Sequence, residues 1–294
     1  SVSNDSGNNA RWAFSTEDHE WVAGESTFTM AELDSYIFIH QVQEWGLAFA
    51  PEVDMTTDSL RSIVNIDNSC NAYYDGNLNF FRSGNGCNNT GRIADVNYHE
   101  WGHGFHYYSL LAGSWDSAAS EGIADVISVF LTGDPVVAPY FQENGSGIRD
   151  LSPNRIYPDD VTGEPHGDGL IFAGAVWDLW NIFNETMEED EAYDTIANLF
   201  VDSIKSGPTV PDTYDAFIAA DDDDSDLSNG TPNQCEILDA FQQHGLGPMG
   251  SESLSSVLHE PIENQPAGLG DFPVIGEIVN LAPDCVSLTD VEGE

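Results

Sequence analysis

The segment VNYHEWGHGFHYY, residues 96–108, constrains the fold more than any other part of the chain. It places His99 and His103 four residues apart, so that on an α-helix both side chains lie on one face, one turn from each other. Glu100 lies beside the first histidine and can lean toward the same cleft. This HExxH pattern is typical of zinc hydrolases, in which the imidazoles bind zinc and the glutamate acts on a bound water. The segment therefore predicts a helix that carries a metal site.

A catalytic zinc ion needs a third protein ligand and an open position. The metzincin pattern requires glycine at position 106 and histidine at position 109, where this chain has His106 and Ser109, so that arrangement is excluded. Glu121, in SAASEGIADV, follows His103 by eighteen residues, and we predict that it completes a His2Glu site. Asp125, one helical turn later, can accept the free N–H of a zinc-bound histidine. His106 either touches this site or is a hydrogen-bonded histidine of the helix.

Hydrophobic spacing predicts a mixed α/β amino-terminal half and a mostly helical carboxy-terminal half. The first dozen residues are polar and read as loose, and residues 134–166 read as a long loop. We expect an α/β lobe over residues 1–112, a mainly helical lobe over residues 113–248, and an extended tail over residues 249–294. Helices are predicted at residues 30–49, 92–113, 117–133, 169–183, 189–207 and 233–245, and strands at residues 62–66 and 77–81.

The charge of the chain is extreme, with 51 acidic against 7 basic residues and a formal net charge of -44. Nucleic acid and anionic membrane surfaces are expected to be poor partners, because the protein's own field repels them. The simplest interpretation of the acidity is solvation, and it is typical of proteins adapted to salty water, where screening weakens self-repulsion. No run of 18 apolar residues occurs, so no membrane span is expected.

Four cysteines suit two disulfides in an oxidising compartment. Cys70 and Cys87 flank one short segment and are expected to pair, which leaves Cys235 with Cys285; the alternative is four free, buried thiols. The start SVSNDSGNNARW reads like that of a processed mature chain, so we expect a secreted protein.

The motifs HEWGH…EGIAD and EPHGDGLIFAGAVWDLW together resemble the gluzincin peptidases, most closely the bacterial relatives of fungalysin, with thermolysin as a more distant relative. The resemblance covers roughly residues 60 to 245. It implies an α+β, thermolysin-like, two-lobed fold and a secreted zinc endopeptidase. It also implies that Glu100 takes a proton from a zinc-activated water and passes it to the leaving amine. A peptide or protein would be the substrate, and the enzyme would act as a monomer.

The resemblance assigns further residues to the site. NAYYDGNLNFF resembles an edge strand along which a substrate peptide lies antiparallel, with Asn71 and Ala72 offering hydrogen bonds. Arg149, in IRDL, resembles an arginine that grips the substrate carbonyl; the alternative is pairing with surface carboxylates such as Asp150. His166, in EPHGDG, resembles the histidine that stabilises the oxyanion.

Two parts of the family pattern are missing. Five residues before His166, where thermolysin has an aspartate, this chain has Val161. The aspartate that orients His166 is left open between Asp159, Asp160 and Asp168, and the assisting tyrosine between Tyr107, Tyr108 and Tyr157.

Calcium is a second candidate cofactor. The acidic segment ADDDDSDLSNGTPN, residues 220–233, offers oxygen ligands but lacks the spacing of an EF-hand, so it is equally well a solvated loop. Asp95 resembles a calcium position of the family. Two other functions compete with the endopeptidase: an aminopeptidase of the same zinc class, and an inactive, calcium-stabilised binding or adhesion module.

Overall fold

The computed structural model describes residues 1–7, 9, 27–248, 254–259, 276–280 and 285. Within this part, the chain has an α+β fold, as predicted. The helices are α1 (Thr27–Phe49), α2 (Asp54–Thr57), α3 (Ala94–Ser109), α4 (Ser117–Thr132), α5 (Pro165–Thr186), α6 (Glu189–Ile204), α7 (Thr213–Asp221) and α8 (Gln234–Gln242). The strands are β1 (Val2–Asn4), β2 (Ser62–Ile66), β3 (Ala72–Tyr74), β4 (Leu78–Phe81), β5 (Val136–Val137), β6 (Arg149–Asp150), β7 (Leu254–His259) and β8 (Gly276–Asn280).

The helix predicted over residues 92–113 is shorter than expected. It is α3, which ends at Ser109 because Leu110 adopts an extended backbone. The following residues are held by the end of α6 instead, since Lys205 O accepts hydrogen bonds from Leu111 N at 2.9 Å and Ala112 N at 3.3 Å. The carbonyl of Lys205, directly after α6, thus binds the connection between α3 and α4, and these two bonds replace the last predicted turn of the helix.

Side-chain caps fix the starts of α4 and α5. Asp116 accepts a hydrogen bond from Ala119 N at 2.8 Å, and Glu164 accepts one from Gly167 N at 2.8 Å. The cap at Glu164 starts α5 four residues earlier than predicted. His166 therefore lies in the first turn of α5 and not in a loop before it.

Four of the described strands form one sheet in the order β1-β2-β4-β3. β1 and β2 are parallel, β2 and β4 are parallel, and β3 is antiparallel to β4. The prediction that the first dozen residues are loose is wrong for residues 2–4, which pair with β2. β3 is the edge strand, and no described strand pairs with its other edge.

Three helices carry the site in one packed layer: α3 packs against α4, and α4 against α5. Glycines make these approaches close. A Cβ built on Gly102 would lie 2.8 Å from Ala124 Cα, and one built on Gly122 would lie 2.5 Å from Gly169 O. Behind them lies an aromatic core in which the rings of Trp101 and Phe105 stack at 4.8 Å.

The rest of the described chain differs from expectation mainly by added short elements. The loop over residues 134–166 contains the antiparallel pair β5–β6, and the unpredicted α7 precedes the acidic segment. In the tail, β7 and β8 pair antiparallel, and the other tail residues apart from Cys285 lie outside the described part. The division into lobes at residue 112 stays a prediction.

Both predicted disulfides, Cys70–Cys87 and Cys235–Cys285, are present. Among the described helices, none combines the length and the hydropathy that a bilayer crossing requires.

Candidate metal centre and cleft

Three predicted ligands converge where α3 faces α4. His99 Nε2 lies 3.2 Å from Glu121 Oε2, and His103 Nε2 lies 3.7 Å from Glu121 Oε1. Donor atoms about 2.05 Å from one tetrahedral zinc ion are roughly 3.3–3.4 Å from each other, so this spacing fits. Glu121 Oε2 is buried and forms no hydrogen bond to a described residue, which leaves it available as a ligand. The donor set, two imidazoles and one carboxylate, therefore fits zinc.

The other ring nitrogen of each histidine is held by α4. Asp125 Oδ1 lies 2.8 Å from His99 Nδ1, and Ser120 Oγ lies 3.0 Å from His103 Nδ1. Each bond orients its ring so that Nε2 faces Glu121. The contact of Asp125 was expected from its spacing. The sequence analysis does not predict the contact of Ser120, which directly precedes Glu121 on α4.

Arg149, on β6, binds the carboxylate of Asp125. Its Nε donates to Oδ2 at 2.7 Å and its Nη2 to Oδ1 at 2.7 Å, a bidentate pair. The alternative of pairing with the Asp150 carboxylate is wrong, because Asp150 Oδ1 accepts from Ser152 N and Oγ instead. Arg149 also lines the cleft beside Glu100. Its contact with substrate stays a prediction.

The carboxyl groups at the centre have pKa values that differ widely. Burial raises the pKa of Glu100 to about 7. Burial also acts to raise the pKa of Glu121 and of Asp125, but His99 outweighs it for Glu121, and Arg149 with His99 outweighs it for Asp125. Both of these pKa values are lowered to about 2. One carboxyl thus titrates near neutral pH between two that stay ionised.

The two imidazoles are also separated in pKa. Burial lowers the pKa of His103 to about 3, with the charge of His99 adding to the effect. For His99 burial acts in the same direction, yet the nearby carboxylates of Asp125 and Glu121 outweigh burial and raise the pKa to about 9. Of the two histidines, His99 is therefore the one that binds a proton near neutral pH.

His166 reaches the centre from the first turn of α5. Its side chain is 50% exposed, and Nε2 lies 3.4 Å from Glu121 Oε2. Nδ1 lies 2.6 Å from Glu164 Oε1, and this bond lowers the pKa of Glu164. The expectation of an aspartate partner is therefore wrong. Asp168 accepts from Thr162 N and Gly163 N. Asp160 accepts from Ile156 N.

Three other candidate residues lie outside the metal centre: His106, Tyr108 and Tyr157. His106 is fully buried, and neither ring nitrogen has a hydrogen-bond partner among the described residues, so the expectation of a hydrogen-bonded histidine is wrong. Burial lowers its pKa to about 4. Of the three tyrosines, Tyr107 lines the cleft, whereas Tyr157 N donates to His244 O outside it, and Tyr108 is not among the lining residues.

The two calcium interpretations stay predictions. Asp95 is buried on α3, and its Oδ2 accepts a hydrogen bond from Ala138 N at 2.7 Å. In the acidic segment, carboxylate atoms of Asp222, Asp223 and Asp224 lie within 4.8 Å of one another.

The centre opens into a cleft with a volume of about 470 Å³. One wall is the edge strand, where Asn71 and Ala72 line the cleft together with Tyr73 and Tyr74; their hydrogen bonds to a substrate stay a prediction. The remaining lining includes the ligands, Glu100, Arg149, His166, and the apolar side chains Val96, Tyr107, Trp115, Val137, Phe141 and Ile148. A strand edge with which no described strand pairs, beside a candidate metal centre, suits an extended polypeptide.

No family model and no curated protein matches the sequence. Among solved structures, the chain is similar to the precursor of protealysin, a metalloproteinase from Serratia proteamaculans, with a TM-score of 0.62. The match covers 84% of this chain and 87% of that chain at 12% sequence identity. At this identity the similarity shows the fold alone. The fold class is thus a metalloproteinase-like α+β class, as the sequence predicts.

Proposed function

We propose that this protein is a secreted, zinc-dependent endopeptidase. The observation that carries the proposal is the convergence of His99, His103 and Glu121 at distances that suit one zinc ion, with Glu100 beside them on the cleft wall. The similarity of the fold to that of a metalloproteinase precursor supports it. The two disulfides agree with a chain that folds in an oxidising compartment.

The zinc ion held by these three residues would supply a Lewis acid and lower the pKa of a bound water toward ~7. Glu100 accepts the proton of the attacking water and later delivers it to the leaving amine. Burial acts to raise its pKa toward neutral pH, which favours this role, because a general base works best when its pKa lies near the operating pH.

His166 stabilises the oxyanion that develops on the substrate carbonyl. The Glu164 carboxylate accepts a hydrogen bond from Nδ1–H, and a ring protonated on both nitrogens can then donate through Nε2. Since the side chain is half exposed, it approaches the reacting carbonyl from the open side of the cleft. Glu164 thereby acts on the reaction by orienting the ring.

The substrate lies along β3. The free edge of this strand offers main-chain hydrogen bonds at Ala72, and Asn71 contributes its side chain. Arg149 has Nη1 free of the Asp125 pair, because that pair uses Nε and Nη2. Nη1 can therefore donate to a substrate carbonyl without breaking the bidentate contact.

The decisive test is the Glu100→Gln variant, with Glu44→Gln as a matched control on the exposed face of α1. Wild type and control should bind near one zinc per chain and cleave a peptide that is blocked at both ends. Glu100→Gln should bind the same zinc and lose nearly all turnover, and a chelator should abolish the activity of the wild type.

Three other outcomes would contradict the proposal. Cleavage of unblocked but not of blocked peptides would show an aminopeptidase. Zinc without cleavage of any peptide would show a binding module. Ordinary turnover by Glu100→Gln would refute the role of Glu100.

A further inference from the structure

Four large apolar side chains stand exposed on residues 107–115, the segment whose two end residues, Tyr107 and Trp115, line the cleft. This cleft-mouth patch consists of Tyr107, Tyr108, Leu111 and Trp115, which are 61%, 48%, 83% and 49% exposed. The segment from 107 to 115 contains no charged residue, in a chain with 51 acidic residues. Large apolar side chains exposed together on an uncharged segment mark a site of interaction.

The backbone under the patch is held in place. Leu111 N and the next amide both donate to Lys205 O, and Asp116, directly after Trp115, caps α4. The rings of Tyr107 and Tyr108 pack edge to face, with centroids 5.3 Å apart. The exposed side chains therefore stand on an ordered support, and a ligand that covers them loses little free energy in ordering them.

The patch is continuous with the metal centre. Tyr107 and Trp115 line the same cleft as His103 and Glu121. Tyr107 is four residues after His103 on α3, about 6 Å along the helix axis. An extended polypeptide advances about 3.3 Å per residue, so the patch is reached roughly two residues from the reacting bond.

We propose that the cleft-mouth patch is a substrate subsite that binds bulky, uncharged apolar or aromatic side chains about two residues from the cleaved bond. This inference rests on the proposed endopeptidase function. The strongly negative protein repels acidic segments, and the patch itself offers no charge to pair with a basic side chain. Apolar side chains remain as the class that gains by burial there.

The activity test compares two doubly blocked peptides that differ in their outer residues, Phe and Leu in one and Ser in the other. We expect Tyr107→Ser and Trp115→Ser to raise KM for the apolar peptide about 5- to 10-fold with kcat little changed, and to leave the Ser peptide unaffected. The control is Leu227→Ser, since Leu227 is 53% exposed but does not line the cleft. Equal KM values for both peptides in wild type, or a KM of Trp115→Ser that matches the control, would overturn the inference.

A binding test separates this inference from the proposed function. Trp115 is the most exposed of the described tryptophans, so acrylamide should quench its fluorescence. The signal of Trp115 is obtained as the difference between the Glu100→Gln variant and the Glu100→Gln, Trp115→Phe double variant, neither of which should cleave the peptide. The apolar peptide should protect it and the Ser peptide should not, even if no peptide is cleaved. Absence of protection, or a change in sedimentation of Leu111→Ser that shows a dimer interface, would overturn the inference.

Discussion

Replacement of Gly169 by alanine tests whether the crossing of α4 and α5 sets the geometry of the metal centre. A Cβ built on Gly169 lies 2.5 Å from Ala118 O, 2.7 Å from Gly122 N and 3.2 Å from Glu121 Cβ. The first two neighbours are backbone atoms, which cannot turn aside. The added methyl group therefore forces the two helices apart at Gly122, next to the proposed zinc ligand Glu121.

The size of the shift follows from these distances. Ordinary contact begins at 3.4 Å, so relief of the 2.5 Å contact requires a movement close to 0.9 Å. Overpacking of this kind costs about 1–3 kcal/mol. The helix propensity of alanine returns up to about 1 kcal/mol, so the net loss of stability is roughly 0–2 kcal/mol. A misplacement of about 1 Å at a reacting group costs about 100-fold in rate.

We therefore expect Gly169→Ala to stay folded but to lose about 100-fold in kcat/KM and to bind zinc more weakly. Gly167→Ala, two residues earlier in α5, is the control, because its Cβ meets nothing closer than 3.5 Å. The measurements are urea unfolding, zinc affinity by chelator competition, and turnover of a blocked peptide. Wild-type zinc affinity and turnover in Gly169→Ala would show that the helix crossing does not position Glu121.

Three further predictions follow from the centre and its surroundings. His166→Ala should lose one oxyanion donor, about 2.7–4 kcal/mol or roughly 100- to 1000-fold in kcat, while zinc analysis shows an unchanged content. Burial raises the pKa of Asp95 from 3.8 to about 6, so the folded state favours the protonated carboxyl. The contribution of Asp95 to the free energy of unfolding should therefore fall by up to about 3 kcal/mol as the pH rises from 4 to 6. Asp95→Asn should remove that slope in chelated protein, and an unchanged slope would refute the assignment. Calorimetry in buffers of different ionisation enthalpy should show more than one proton released per zinc bound at pH 8. One proton comes from His99, which holds it up to about pH 9, and most of a second comes from the zinc-bound water, whose pKa would be about 7.

The helices and the ligand set could be predicted because their signals are local. His99 and His103 share one helix face by spacing alone, and Glu121 with Asp125 share the next. The structure brings these four side chains together; that they bind zinc stays a prediction. The end of α3 was misjudged because the acceptor for the following amides is Lys205 O, from a helix far along the chain. No local pattern carries that information.

The partner of His166 was missed for a related reason. The family pattern directs attention to position 161, where Val161 is 43% exposed and offers no acceptor. The carboxylate comes instead from Glu164, whose backbone lies just before α5 while its side chain caps the helix at Gly167 N and also meets His166 Nδ1. A glutamate within the same short EPHG stretch was the available signal. The contact between Glu164 and His166 can be inferred only when α5 is known to begin at Pro165, because Glu164 is then the N-cap residue.

The charges around the centre explain why a cation belongs there. Glu100, Glu121 and Asp125 are gathered within a largely buried region, and Arg149 is the positive side chain paired among them. Burial of charge is costly unless opposite charge compensates it. One guanidinium cannot balance three carboxylates. Burial raises the pKa of Glu100 to about 7, and the carboxylates of Asp125 and Glu121 outweigh burial and raise the pKa of His99 to about 9, so each group favours a proton. A divalent cation bound by neutral imidazoles supplies the same compensation without those protons. Its binding is therefore expected to free the proton of His99 and to keep Glu100 ionised, which is the state that a general base requires.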